Sequence, residues 1–159
     1  MPSTHKKVVV RKHNRDSLSG YVSSTFVVDE KLELLNTAGN VVLIDLADIK
    51  TVNFVRDFGD SGTPTRKTFA TRPRAEGLWI RLHFRDNEIM EGLLPNDLAL
   101  VNPAGFLITP PDTRSNIQRI FVPRSAITEA RVLAVIGAQP RKRKPSDERQ
   151  AEMFEEGSA

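Results

Sequence analysis

One stretch of this chain occurs twice. Residues 8–22 read VVVRKHNRDSLSGYV, and residues 80–94 read IRLHFRDNEIMEGLL. A shift of 72 positions lays Val8 on Ile80, Val10 on Leu82, Asn14 on Asp86, Asp16 on Glu88, Leu18 on Met90 and Gly20 on Gly92. Each copy alternates apolar and polar residues, breaks at Asn and Asp, and resumes around a glycine. Period-two alternation marks a half-buried strand. Asn and Asp favour tight turns because their side chains bond nearby backbone. A glycine inside a strand signals a bulge or a sharp bend. The repeated unit is thus read as a β-hairpin, and a repeat constrains architecture before any single residue does.

The remainder of each copy extends the match. After the return strand (18–28), the first copy shows a third strand over 31–35, a turn at 37–40 and a fourth strand over 41–46. A single turn at 45–48 then leads into a fifth strand over 49–55. The second copy answers with 106–109, 120–122 and 127–135, the offset growing from 72 to 78 almost entirely in the loop 110–118. The expected fold is mainly β: two tandem SH3-like or Sm-like small barrels sharing an interface, with a short C-terminal helix over 146–156. A unit of about 60 residues buries too little surface to be comfortably stable alone, which is why a shared interface is expected. The expected organisation is a disordered lead-in (1–6), a first unit (7–56), a connector (57–77), a second unit (78–137) and a charged tail (138–159). The connector is rich in Gly and Pro, and structureless stretches of this length in compact proteins are commonly functional or disordered.

Five short strands, a bend glycine in the second and a one-turn link before the fifth resemble the SH3-like and Sm-like barrels. The Sm resemblance is one of pattern, without an RNA-binding signature in either unit. Two further stretches, Phe54-Val55-Arg56-Asp57-Phe58-Gly59-Asp60 and the set Pro111, Asp112, Ser115, Asn116, Arg119, Phe121 and Val122, resemble an uncharacterised bacterial domain family, a domain of unknown function. That resemblance spans nearly the whole body and brings no chemistry with it.

Composition excludes several classes of function. The 159 residues contain no cysteine, so disulfides, thiolate metal sites and Cys nucleophiles are ruled out. His5, His13 and His83 are scattered, with no metal-ligand spacing. No Gly-x-Ser-x-Gly elbow, Walker loop or Rossmann glycine pattern occurs. The chain is therefore expected to be non-catalytic and to need no metal or cofactor. No apolar run approaches the roughly 20 residues that span a membrane, and no signal peptide is evident, so the cytoplasm is the expected location. The net charge of +3, from 23 Lys and Arg against 20 Asp and Glu, is too mild to name a nucleic-acid partner by itself.

Three functional readings follow. The first is an interaction or regulatory module whose partner is a protein or a second copy of the chain. The second is a nucleic-acid-binding module that uses the outer strand faces, with Lys7 and Arg11 in one unit and Trp79, Arg81, His83 and Arg85 in the other. An aromatic among cations can stack a base and neutralise phosphates. The third is a sensor of a small anionic ligand at the seam between the units, built from Arg56, Asp57, Asp60, Asp112, Asn116 and Arg119. The segments without a counterpart in the other copy, 57–76 and most of 110–119, are the expected places for a specific site.

Overall fold

The computed structural model describes residues 5–59, 66–100, 102–112 and 114–137. The expected C-terminal helix, the tail and Asp60 lie outside the described residues. The chain is mainly β, in two antiparallel sheets. The first run of strands is β1 (Lys6–Lys12), β2 (Ser17–Val22), β3 (Val27–Val28), β4 (Lys31–Asn36), β5 (Val41–Asp45) and β6 (Ile49–Val55). The second is β7 (Gly77–Phe84), β8 (Ile89–Leu94), β9 (Gly105–Ile108), β10 (Ile117–Pro123) and β11 (Ile127–Ile136). A 3-10 turn precedes the last strand of each run, Leu46–Asp48 before β6 and Arg124–Ala126 before β11.

Hydrogen bonds recur from one run to the other. Val8 pairs with Gly20, and Ile80 pairs with Gly92. The amide of Lys12 donates to Asp16 O as that of Phe84 donates to Glu88 O, closing the same turn. Both turns hold a non-glycine residue at positive φ, Arg15 at 73° and Asn87 at 68°. Val10 pairs with Val52 where Leu82 pairs with Ala130. Each fifth strand also carries a bulge at the same place, opposite Arg11 and Lys12 in one run and His83 and Phe84 in the other. The return strand expected over 18–28 is broken into β2 and β3, because the chain turns Phe26 into the core between them.

The glycines aligned by the repeat do the same work. A Cβ on Gly20 would sit 2.5 Å from Leu35 O and 2.8 Å from Leu34 Cδ1; on Gly92 it would sit 2.7 Å from Ile108 Cδ1. Only a residue without a side chain lets the second strand pass this close to its neighbour.

The two runs are joined by strand pairing. β6 lies between β1 and β10, with Phe54 opposite Arg119, Asn53 opposite Ile120 and Val52 opposite Phe121. The first sheet therefore takes in β10 and β9. A bridge between Leu93 and Thr109 links β9 back to β8, and so to the sheet of β11, β7 and β8. The cores interlock as well. Phe121 of β10 is packed among Val8, Val10, Leu32, Leu34, Ile49 and Val52, and its ring stacks edge-on against Phe26 at 5.1 Å. In return, Val9 and Val55 enter the cluster of Ile80, Leu82, Phe84, Ile108 and Ile120.

Candidate functional site

The pairing of β7 with β8 sets Arg81 directly opposite Glu91. Alternation sends Ile80, Leu82 and Phe84 into the core and leaves Trp79, Arg81 and Glu91 on the other face. On an open sheet Glu91 would be solvated, yet it is only 2% exposed. The connector covers it. The Glu91 amide donates to Lys67 O at 2.6 Å, and the Phe69 amide donates to Glu91 Oε1 at 3.0 Å. Trp79 Nε1 reaches the same oxygen at 3.3 Å, while Arg81 places Nε at 3.0 Å and Nη2 at 2.8 Å on Oε2. Phe69 closes over this hub, edge-on to Trp79 at 5.9 Å. A buried carboxylate survives when it is paired and its lone pairs are filled, and here four groups fill them.

Beyond Phe69 the connector faces Leu93 of β8 and the residues that follow β9. Between them is a cleft of about 370 Å³, lined on one side by residues of 66–75 and on the other by Thr109, Pro110 and Pro111. Arg66, Arg72 and Arg74 line it together with Thr71, and among the described residues no carboxylate does. The two chain segments that depart from the repeat therefore meet here. Several cations around a concave surface focus positive potential and raise the local concentration of anions.

The seam residues named from the sequence gather only in part. The Asn116 side chain clasps the backbone of Asp57: Oδ1 accepts from its amide at 3.0 Å, and Nδ2 donates to its carbonyl at 2.7 Å. The Arg56 amide donates to Asn116 O. Asp112 caps its own turn by accepting from the Arg114 amide. Arg119 is exposed and lines a different cavity, beside Glu76 and Asn102. Asn116 and Asp57 thus close the end of the β6–β10 junction, where the sequence had suggested a ligand.

Residues 4–134 match the model of a family described as "Family of unknown function (DUF6982)". The chain belongs to this family. No curated protein and no solved structure matches it. The match runs through both strand runs, so the β6–β10 junction and the arginine cleft are both parts of the DUF6982 unit.

Within that unit the two basic stripes differ from their expected form. In β1, Val9 lies between Lys7 and Arg11 but is buried, because the second run covers that face. Lys7 sits over the Phe58 ring at 5.7 Å. In β7, Trp79 and Arg81 are engaged by Glu91. His83 is half-buried, its carbonyl accepting from Thr128 Oγ1, and Arg85 is exposed. No continuous solvated stripe runs across the two strands.

Sequence reasoning passed over a second charged cluster. Lys50 of β6 reaches the β7–β8 turn, with Nζ at 2.6 Å from Asp86 and 3.0 Å from Glu88, and lies over the Phe84 ring at 5.1 Å. Lys67 joins Glu88 from the connector at 3.1 Å. Burial alone would lower the Lys50 pKa, but its hydrogen bonds to Asp86 and Glu88 outweigh that and raise it. Asp86 is lowered chiefly by its bond from Lys50. Burial pushes Glu88 up, and the two lysines more than reverse it. The signal for this contact was the Asp86 and Glu88 pair itself, which looked like a solvated turn.

Among the described residues β5 pairs only with β4, and β11 only with β7. These two strands expose Val41 (68%), Leu43 (57%), Val132 (59%) and Val135 (54%). Unpaired backbone with apolar side chains along it is a template for another strand.

Proposed function

We propose that this chain is a cytoplasmic, non-catalytic interaction module, a duplicated SH3-like or Sm-like small barrel that binds protein by adding a strand to its free edges. The observation that carries this reading is the pair of open edges, β5 and β11, each bearing exposed apolar side chains. Strand addition draws affinity from backbone hydrogen bonds and specificity from alternate side chains. The matched registers and turns of the two runs support the duplication. Co-purification from cells tests the proposal. Tagged chain should retain a protein, and a Leu43→Lys/Val132→Lys double variant should lose it. Recovery of no protein, or the same protein with the variant, would overturn the reading.

The arginine cleft favours a second reading, a sensor for a small phosphorylated or carboxylate ligand. Arg66, Arg72 and Arg74 around one cleft, with no carboxylate lining it among the described residues, are its motivation. Thermal unfolding in the presence of nucleotides and organic acids tests it. A ligand at 100 times its Kd adds about 2.7 kcal/mol, and Arg72→Ala/Arg74→Ala should abolish the shift. A flat response across such a panel refutes it.

A further inference from the structure

The junction inside the chain shows what can fill its two open edges. At that junction the last strand of the first run, β6, pairs with the fourth long strand of the second run, β10. Among the strands left at an edge are the two that match this pair, β5 in the first run and β11 in the second. One chain therefore ends in two halves of the contact that it already makes once internally. We propose that a second copy of this chain docks head to tail, its β11 antiparallel to β5, repeating the β6–β10 junction.

The register transfers residue by residue. β6 maps to β11 by 78 positions as far as Val132, since Ile49 and Ile127 both follow the 3-10 turn and the bulge after each coincides; a second bulge, between Val132 and Ala134, ends the match. β10 maps to β5 by the same 78, since Leu34 pairs with Val42 as Ile108 pairs with Ile120. Phe54 opposite Arg119 becomes Val132 opposite Val41. Val52 opposite Phe121 becomes Ala130 opposite Leu43. The apolar side chains exposed on each edge thus face one another.

A third feature agrees. In the internal junction Phe121 is received by Phe26, four residues past the end of β2. Four residues past the end of β8 is Leu98, which is 83% exposed, and Leu100 close by is also exposed. They stand where Leu43 of a second copy would need an apolar neighbour. Five of the nine exposed large apolar side chains among the described residues, namely Val41, Leu43, Leu98, Leu100 and Val132, are accounted for by this one contact. Because it joins two different edges, the contact is heterologous and builds a closed ring or an open filament.

This inference rests on the reading of β5 and β11 as binding edges and names their partner. Sedimentation velocity from micromolar to millimolar concentration should show mass growing beyond one chain. Leu43→Lys blocks the β5 edge and Val132→Lys the β11 edge. Each should weaken association by about tenfold or more, because a charge is set against an apolar contact. Both positions are exposed, so thermal unfolding of the dilute, unassembled chain should be unchanged; Val41→Lys replaces Leu43→Lys if it is not. Mixed together, the two variants should form a one-to-one dimer and stop there, since each retains one good edge and only a head-to-tail contact joins them. Wild-type chain that stays monomeric throughout, variants that assemble like wild type, or a mixture that remains monomeric would overturn the proposal. If wild type is monomeric yet still retains a protein that the double variant loses, self-docking fails and the edge reading stands. If the double variant retains it too, the edge reading fails.

Discussion

Arg81 and Glu91 face each other across the β7–β8 hairpin, and the guanidinium holds one carboxylate oxygen through both Nε and Nη2. The other oxygen collects the Trp79 indole and the Phe69 amide. One side chain thereby ties the connector, whose Phe69 also lines the arginine cleft, to the second run. Glu91→Ala should destabilise the fold by about 2–3 kcal/mol. This is less than the roughly 3–5 kcal/mol of a fully buried broken pair, because the Arg81 side chain is 41% exposed and keeps access to water. Denaturant unfolding gives the magnitude. Amide exchange at Phe69 should accelerate with the mutation, and an unchanged rate would show that the connector is held by other contacts.

The Lys50 cluster makes stability depend on pH at both extremes. Asp86 and Glu88 titrate below their ordinary values of 3.8 and 4.5, so their contribution is complete above those values and lost as pH falls through the lowered ones. Lys50 titrates above 10.5, so its contribution is complete below that pH and lost as pH rises through the raised value. Between them the profile should be flat. Lys50→Met should cost about 1 kcal/mol at neutral pH, a modest figure because Asp86 is more than half exposed. It should also flatten the acid limb to what Lys67 sustains at Glu88. Melting temperature against pH, for wild type and variant, measures both effects.

The hairpins were legible because their information is local. Asn14 and Asp16, like Asp86 and Glu88, announce a turn, and the alternation on either side fixes which residues oppose each other. The turn before the fifth strand of the first copy was visible for the same reason. Pairing between the runs was not legible. Period two assigns Val9 to the outer face of β1, and nothing local says that the second run will cover that face. Phe121 alternates like any strand residue, although it belongs to the other run's core. Glu91 was not singled out, because its burial depends on the 66–75 segment, which has no periodicity. In that connector only the aromatic residues gave a hint: Phe58 stacks on Tyr21 at 5.4 Å and Phe69 on Trp79.

Gly20 and Gly92 offer a graded test of the shared bend. Alanine at either position overpacks the approach of the second strand to its neighbour, at about 1–3 kcal/mol. Gly20→Ala should be the more severe, because its Cβ meets a backbone carbonyl, Leu35 O, which cannot move without the strand. At Gly92 the nearest atoms belong to the Ile108 side chain, so Ile108→Val should partly relieve Gly92→Ala. The double variant, compared with the two single variants by denaturant unfolding, measures that coupling. Strict additivity would mean that the strain resides in the backbone instead.

Asn116 and Asp57 distinguish a structural clasp from a ligand site at the seam. Asn116 holds Asp57 only through backbone atoms, so the two residues should not be equivalent on mutation. Asn116→Ala removes two hydrogen bonds between a half-buried side chain and the exposed Asp57 and should cost about 1 kcal/mol, near the middle of the range for single bonds because water can replace part of the loss. Asp57→Ala leaves both bonds in place and, among the described residues, gives up the carboxylate's contact with the Gly59 amide at 3.4 Å, so it should be close to neutral. The consequence of Asn116→Ala should reach Phe58, which follows Asp57 and packs its ring against Tyr21. Tyr21 is the single tyrosine and Trp79 the single tryptophan, so near-ultraviolet circular dichroism separates the two environments. Asn116→Ala should weaken the tyrosine band and leave the tryptophan band, held by Glu91 and Phe69, as it is. Equal losses from Asn116→Ala and Asp57→Ala would instead show that the Asp57 carboxylate itself is what the seam requires.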